Sequence, residues 1–217
     1  WLPGFRQRMG RLPESLKFDG RPTIWFHSCS VGAALSLQPL VERLHKRLPG
    51  ARLVFSTITQ TGQQIAVQRF ADYGKGNTFY FPIDLASVAR RVLDWIRPSM
   101  IVIIDTEIWP NTVHQARRRC IPVILVNGRI SAASFRYYRR ARPLLRRVFA
   151  NYRALFMQSG EDASRIIQMG APGDKVLVTG NIKIDRDLPD ANSEEALLRS
   201  LDEAFGFSRL DAPLIVA

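Results

Sequence analysis

Cysteine and long apolar segments are scarce in this sequence, and each absence excludes a class of protein. Cys29 and Cys120 are the only cysteines among 217 residues, which is too few for a disulfide framework and typical of a reducing compartment. No cluster of cysteine and histidine has the spacing of a zinc site, so we expect no metal. The longest apolar runs are well below the ~18 residues that cross a bilayer.

Targeting and nucleotide-binding motifs are missing as well. The chain begins WLPGFRQRMG, which is neither a signal peptide nor the context of an initiator methionine, so we expect a natural segment upstream of it. Neither GxGxxG nor GxxxxGK[ST] occurs, which argues against a dinucleotide-binding turn and against a P-loop.

Acidic residues are absent between residues 108 and 160, whereas the same stretch holds eleven arginines and no lysine. The net charge of the whole chain is +12. Because a guanidinium group binds phosphate through two parallel hydrogen bonds, this tract predicts a polyanionic partner or an anionic membrane surface. A merely solvated basic face is the alternative.

Seven short segments rich in β-branched and aromatic residues alternate with helical segments along most of the chain. They cover residues 23–27, 51–57, 77–82, 100–105, 121–127, 153–158 and 175–180. Apolar periodicity predicts helices over residues 35–48 and 86–96, and a third helix that Ser159 caps and Gly170 stops. This alternation predicts an α/β fold with a Rossmann-like, doubly wound parallel sheet, whose functional loops follow the strands.

The composition changes after VTGNIKID. The next segment, RDLPDANSEE, is polar and typical of a linker, and it precedes a helical segment and the apolar run APLIVA. We therefore expect residues 1–185 to form one domain, and residues 186–217 to be a linker, a helix and the first strand of a truncated second domain.

Two loops after predicted strands offer groups for a ligand. HSCSVGA contains the hydroxyl of Ser30 and the close backbone approach that Gly32 permits. DTEIWPN places Asp105 and Glu107 two residues apart at a strand end. The two carboxylates predict a cleft that positions a hydroxyl group, and the alternative is a helix-capping aspartate with an exposed glutamate.

Two later loops offer basic groups. NGRIS, with Asn127 and Arg129, is predicted to bind phosphate through the arginine and the backbone amides. TGNIKID places Lys183 immediately before the linker and so next to a domain cleft, although a lone lysine is usually solvated.

Taken together, HSCSVGA, DTEIWPN, VNGRISAASFRYYRR, QSGEDASRIIQMGAP and VTGNIKID resemble the N-terminal half of the 3-deoxy-D-manno-octulosonic acid (Kdo) transferases of lipid A biosynthesis. The resemblance extends from about Phe5 to Asp185. It implies the acceptor-binding half of an inverting GT-B glycosyltransferase without a metal or a cofactor. It also implies a lipid A precursor as acceptor, CMP-Kdo bound by a missing C-terminal domain, and attachment to the cytoplasmic face of the bacterial inner membrane.

The resemblance further assigns roles to single residues. The family's proton-accepting glutamate falls at Ala33, by engineering or by natural variation, and this implies an inactive chain. Asp105 and Lys183 fall at positions that stabilise the transition state. The expected acceptor-binding positions are Ser30, Gly32, Glu107, Asn127, Arg129, Arg136, Arg139 and Arg140.

Two other functions compete with this interpretation. One is a non-catalytic basic module that binds anionic lipid or nucleic acid, because Phe135, Tyr137 and Tyr138 are interleaved with the arginines. No known nucleic-acid module is present, so we do not expect nucleic acid as a partner. The other is a different enzyme of related fold, such as a nucleotide-sugar epimerase.

Overall fold

The computed structural model describes residues 3–29 and 31–182, and the expected linker and second domain at 186–217 lie outside this part of the chain. Its centre is a parallel sheet of seven strands in the order β3-β2-β1-β4-β5-β6-β7. The strands are β1 (Thr23–Ser28), β2 (Arg52–Thr57), β3 (Thr78–Tyr80), β4 (Met100–Ile104), β5 (Val123–Gly128), β6 (Ala154–Met157) and β7 (Val176–Val178). All seven predicted strands are present, and the Rossmann-like α/β fold class is confirmed.

Helices connect the strands. They are α1 (Phe5–Arg8), α2 (Val31–Ser36), α3 (Gln38–Arg47), α4 (Gln60–Arg69), α5 (Ala86–Ile96), α6 (Pro110–Arg118), α7 (Ala132–Tyr138), α8 (Arg142–Phe149) and α9 (Gly160–Gln168). Within the described residues, no helix combines the length and the apolar character that crossing a membrane requires.

Both faces of the sheet are covered, because apolar side chains alternate between the faces along each strand. Trp25 packs on one face with residues of α5, α6, α8 and α9, whereas Ile24 and Phe26 pack on the other with residues of α2, α3 and α4. All six residues of β1 are buried, as expected of a central parallel strand.

The helices differ from the sequence prediction at one place. The segment 35–48 contains not one helix but the end of α2 and then α3, since Pro39 in the first turn of α3 lacks the backbone N–H that would continue the preceding helix. The helix α5 has its predicted bounds. The hydroxyl of Ser159 caps α9 by accepting a hydrogen bond from the amide of Asp162 at 3.1 Å, and Gly170 follows the helix with φ 113°.

The winding direction of the chain reverses between β1 and β4, which are neighbours in the sheet. From β1 the chain builds outward to β2 and β3, and it then crosses to β4 and builds outward to β7 on the other side. Ligands of open α/β sheets bind in the crevice at the carboxyl ends of the strands on either side of such a reversal. The loops that follow β1 and β4 therefore meet where a site is expected.

Candidate active site

The loop after β1 leads into α2 and places Gly32 and Ala33 near the start of that helix. Gly32 is exposed, whereas Ala33 is only 1% exposed and packs in the apolar cluster that contains Ile24 and Phe26. Ser30 lies outside the described residues. A longer side chain at position 33 would therefore have to extend out of a close-packed environment to reach the crevice.

The loop after β4 carries the two carboxylates. Asp105 adopts a left-handed backbone with φ 60°, and its amide donates to the carbonyl of Val126 at 3.0 Å. The amide of Glu107 in turn donates to the carbonyl of Asp105 at 3.0 Å. Asp105 and Glu107 are both half-buried, so they border the crevice without being fully exposed to water.

Helix α6 follows these carboxylates, but Asp84 caps it from another loop. The carboxylate of Asp84 accepts from the amide of Asn111 at 2.9 Å, and from the amide and hydroxyl of Thr112 at 2.7 Å each. The alternative in which Asp105 caps this helix and Glu107 is exposed is therefore wrong. Neither Asp105 nor Glu107 takes part in this cap.

The environment of Glu107 shifts the pKa of its carboxyl. Burial raises the pKa of Glu107, and the nearby charge of Asp105 adds to the rise, whereas a hydrogen bond from the Cys29 thiol opposes it. Burial likewise raises the pKa of the Cys29 thiol to about 12, and the Glu107 carboxylate adds to this rise. Cys29 is consequently a neutral hydrogen-bond donor in this site and not a thiolate nucleophile.

The end of β5 and the loop that follows it are bound to the loop after β4. The side-chain amide of Asn127 donates to the Asp105 carboxylate at 2.7 Å. The hydroxyl of Thr106 accepts from the amide of Arg129 at 2.8 Å and donates to the carbonyl of the same residue. The structure thus brings Asp105, Glu107, Asn127 and Arg129 together at one edge of the sheet, although they come from two separate sequence motifs.

Segments after β6 and β7 also reach Asn127. The side chain of Gln158 donates to the carbonyl of Asn127 at 3.2 Å, and the amide of Ile182 donates to its side-chain oxygen at 3.1 Å. Ile182 immediately precedes Lys183, which lies outside the described residues. The predicted role of Lys183 stays a prediction, but the backbone just before it is tied to the site.

Rings near the carboxyl ends of β1, β3 and β4 pack against one another next to the crevice. The fully buried ring of His27, at the end of β1, stacks on Phe81 with ring centroids 3.8 Å apart, and Phe81 packs on Trp109 at 4.6 Å. The Nδ1 atom of His27 lies 2.9 Å from the hydroxyl of Ser56. Burial lowers the pKa of His27 to about 3, so this ring is neutral and serves packing and not acid–base chemistry.

The arginines at 136, 139 and 140 do not join the strand-end cluster. Arg136 lies on α7, and Arg139 and Arg140 lie on the turn between α7 and α8, all exposed. Within residues 3–29 and 31–182, no carboxylate forms an ion pair with any of the three. Tyr137 and Leu144 are exposed beside them, at 73% and 60%. We call these five residues, with Arg142, Arg146 and Arg147, the basic surface.

Sequence reasoning missed Asp84 and Cys29 as parts of this site. Asp84 comes shortly after a predicted strand, so the pattern that identified the other loops applied to it too. Cys29 lies in the HSCSVGA loop after the first predicted strand, but its interaction with Glu107 depends on the pairing of β1 with β4, which the sequence pattern does not indicate. Among the described residues, no group of three or more His, Cys, Asp or Glu side chains could hold a metal ion.

Comparison with known proteins identifies a family to which this chain is similar. Residues 3–186 match the family model described as 3-Deoxy-D-manno-octulosonic-acid transferase (kdotransferase). A 3-deoxy-D-manno-octulosonic acid transferase of Haemophilus influenzae is 30% identical over 99% of this chain and 49% of its own length. The corresponding protein of Bordetella pertussis is 33% identical over 85% of this chain and 43% of its own length. The chain thus spans about half the length of the curated relatives it matches.

A solved structure resembles the fold. The UDP-GlcNAc 2-epimerase of Neisseria meningitidis, bound to UDP-GlcNAc, matches with a TM-score of 0.54 over 85% of this chain and 54% of its own chain. The two sequences are only 15% identical, so the likeness shows the shared α/β fold and does not transfer the epimerase activity.

Proposed function

Because this chain belongs to the 3-deoxy-D-manno-octulosonic-acid (Kdo) transferase family, we propose that it is the acceptor-binding part of a glycosyltransferase of lipopolysaccharide biosynthesis. In this proposal a second domain supplies CMP-Kdo, and this domain binds the lipid A precursor. The observation that carries the proposal is the cluster of Asp105, Glu107 and Asn127 at the crevice where the sheet reverses its winding.

The proposed reaction is an inverting displacement. An acceptor hydroxyl gives its proton to a general base, its oxygen forms a bond to the anomeric carbon of Kdo, and the bond between Kdo and the CMP phosphate breaks, so that CMP leaves with the bonding electron pair. No metal or cofactor takes part in this scheme. Asp105 and Lys183 would stabilise charge that develops in the transition state, and Glu107, whose pKa burial raises, would donate or accept a hydrogen bond at the acceptor.

The proton acceptor is the group that this scheme requires and that the chain lacks at the expected position. Ala33 occupies the position at which the family resemblance expects a glutamate, and its methyl group cannot take a proton. Its burial against the sheet is consistent with a side chain that serves only packing. We therefore propose that this chain retains the acceptor site and lacks efficient proton transfer.

The basic surface is proposed to meet the anionic lipid at the cytoplasmic face of the inner membrane. Its arginines have no carboxylate partner in the described part of the chain, and their guanidinium groups suit the phosphates of lipid headgroups. The exposed side chains of Tyr137 and Leu144 suit the boundary between headgroups and acyl chains. Such a surface would hold the crevice close to a lipid acceptor.

The transferase proposal is tested by completing the enzyme. This chain is joined to the other half of the Haemophilus influenzae relative, and transfer from CMP-Kdo to a lipid A precursor is measured with Ala33, Ala33→Glu and Ala33→Gln. A positioned general base contributes about 10²–10⁴-fold, so the glutamate variant should be faster by that order, whereas the glutamine variant, matched in size, should not. A folded chimera whose glutamate variant transfers no Kdo would refute the proposal.

A non-catalytic basic module is the second candidate, and the basic surface is the observation that favours it. Cosedimentation with vesicles of anionic and of neutral phospholipid is compared for the wild type and for a triple variant with Arg136, Arg139 and Arg140 changed to glutamine. The matched control changes Lys46, Arg47 and Arg69 to glutamine, and these three cations are exposed on α3 and α4 on the opposite face of the sheet. Selective loss of anionic binding in the triple variant, together with no transfer by any chimera, would favour the module over the enzyme.

Binding to nucleic acid is measured in the same experiment. Duplex and single-stranded oligonucleotides are titrated across a range of salt concentrations beside the anionic vesicles. Binding to oligonucleotides that exceeds binding to vesicles would contradict the proposed lipid partner.

A further inference from the structure

Asn127, near the end of β5, forms hydrogen bonds to residues that follow three other strands, β4, β6 and β7. Its side-chain nitrogen donates to the Asp105 carboxylate after β4 at 2.7 Å, and its side-chain oxygen accepts from the amide of Ile182 after β7 at 3.1 Å. Its carbonyl accepts from Gln158 after β6 at 3.2 Å. The residue itself belongs to β5 and is only 1% exposed, so these partners rather than water satisfy its side chain.

The partners fix the orientation of the amide group. A carboxylate only accepts hydrogen bonds at neutral pH and a backbone N–H only donates, so the nitrogen must face Asp105 and the oxygen must face Ile182. An aspartate at this position could still accept from Ile182, but it would face Asp105 with a second negative charge. The site thus distinguishes asparagine from its closest isostere.

The backbone conformations of Asn127 and Asp105 support the same arrangement. Asn127 and Asp105 both have φ 60°, a left-handed conformation that asparagine and aspartate adopt more readily than other residues with a side chain. The pairing of β5 with β6 also shifts register between Leu125 and Gly128, directly at this residue. The left-handed residues at the ends of two neighbouring strands thus carry the amide and the carboxylate that bond to each other.

We propose that Asn127 is a positioning residue that holds the Asp105 carboxylate and the backbone preceding Lys183 at a fixed separation. This assignment rests on the proposed function, in which Asp105 and Lys183 act on the same transition state. It differs from the acceptor-binding role predicted from the sequence, because the buried side chain of Asn127 is occupied by Asp105 and Ile182. One hydrogen-bonded amide then sets the separation between the Asp105 carboxylate and the Ile182 backbone, which come from separate loops.

Exchanging the two residues tests the link to Asp105 without reference to activity. Asn127→Asp alone places two carboxylates in hydrogen-bond contact and should lower the melting temperature of this chain by about 3–10 °C. The double variant Asn127→Asp with Asp105→Asn restores one donor and one acceptor and should recover most of that loss. Asn151→Asp is the control, because it removes one exposed hydrogen bond, to the Arg147 carbonyl, without placing two carboxylates in contact, and it should lower the melting temperature less than Asn127→Asp does. A double variant no more stable than the sum of its singles would overturn the link.

Hydrogen exchange of the Ile182 amide tests the second link. Asn127→Gly preserves the left-handed backbone but removes both side-chain bonds, whereas Asn127→Asp retains an acceptor for Ile182. We expect the Ile182 amide to exchange at least about tenfold faster in the glycine variant and near the wild-type rate in the aspartate variant. Equal exchange in the wild type and the glycine variant would overturn this part of the inference.

Kinetic measurements on the chimera that carries Ala33→Glu distinguish a positioning role of Asn127 from an acceptor-binding role. A positioning role predicts that Asn127→Asp lowers kcat by about 10- to 100-fold and changes the acceptor KM by less than about twofold. A rise in KM with unchanged kcat would show direct acceptor contact and overturn the assignment. If the chimera is inactive with Asn127 intact, the proposed function fails, and the exchange and melting measurements still decide whether the links exist.

Discussion

Lowering the pH from 7 to 5 should destabilise this chain through a single buried histidine. The ring of His27 is fully buried, stacks on Phe81, and has its Nδ1 atom 2.9 Å from the hydroxyl of Ser56. Its Nε2 atom has no hydrogen-bond partner among the described residues. A proton on this ring would therefore add a charge that neither water nor a carboxylate compensates.

The size of the effect follows from proton linkage. Burial lowers the pKa of His27 from 6.5 to about 3, so between these values the unfolded chain binds the proton and the folded chain does not. Stability is thus present above pH 6.5 and is lost as the pH falls, by about 1.4 kcal/mol for each unit below that value. From pH 7 to 5 the contribution of His27 to the free energy of unfolding should fall by about 2 kcal/mol, or about 4–8 °C in melting temperature. This contribution is the difference between the wild type and His27→Gln, in which the opposite effect of the raised pKa of Glu107 cancels.

Urea unfolding at pH 7, 6 and 5 measures this loss in the wild type, in His27→Gln and in His114→Gln. The first variant removes the buried titrating ring, and the second changes an exposed histidine on α6. The carboxylate of Asp19 does not interfere, since Arg21 lowers its pKa to about 2 and its contribution is lost only below about pH 4. If His27→Gln retained the full acid sensitivity of the wild type, the reasoning would be refuted.

Three further predictions concern the surroundings of the site. Asp84→Ala removes the cap of α6 and should cost about 1–3 kcal/mol of unfolding free energy, whereas the exposed control Asp174→Ala should cost less than about 0.5 kcal/mol. Because burial raises the pKa of Glu107 above its ordinary value of 4.5, ionisation of this carboxyl opposes folding, so the stability of Glu107→Gln relative to the wild type should increase as the pH rises above 4.5. Gly128→Ala would place a Cβ atom 2.5 Å from the sulfur of Met157 and should cost about 1–3 kcal/mol, and adding Met157→Ala should make the substitution less costly.

Each of these outcomes can fail in a recognisable way. Equal stability of the variants at positions 84 and 174 would contradict the capping role of Asp84. A pH-independent difference between wild type and Glu107→Gln would contradict the raised pKa of that carboxyl. A neutral Gly128→Ala would show that the end of β5 has room that the packing around Met157 does not indicate.

Much of the fold was predictable because its determinants are local. Strands such as β1 and β4 are short apolar runs bounded by turn residues, and they show the same pattern whether or not the rest of the chain is known. The cap of Ser159 on α9 depends on residues three positions apart. The motifs after the strands likewise identified the family, which the match over residues 3–186 confirms.

The sequence by itself therefore determined the alternation of strands and helices, the family, and the polar residues carried at the strand ends. Only the tertiary structure decided which of those residues meet. The contact of Asn127 with Asp105, the cap that Asp84 provides for α6 and the burial of Ala33 each join segments distant in sequence. Such contacts depend on the order in which strands pair and on which face each helix covers, and no local periodicity encodes either of these.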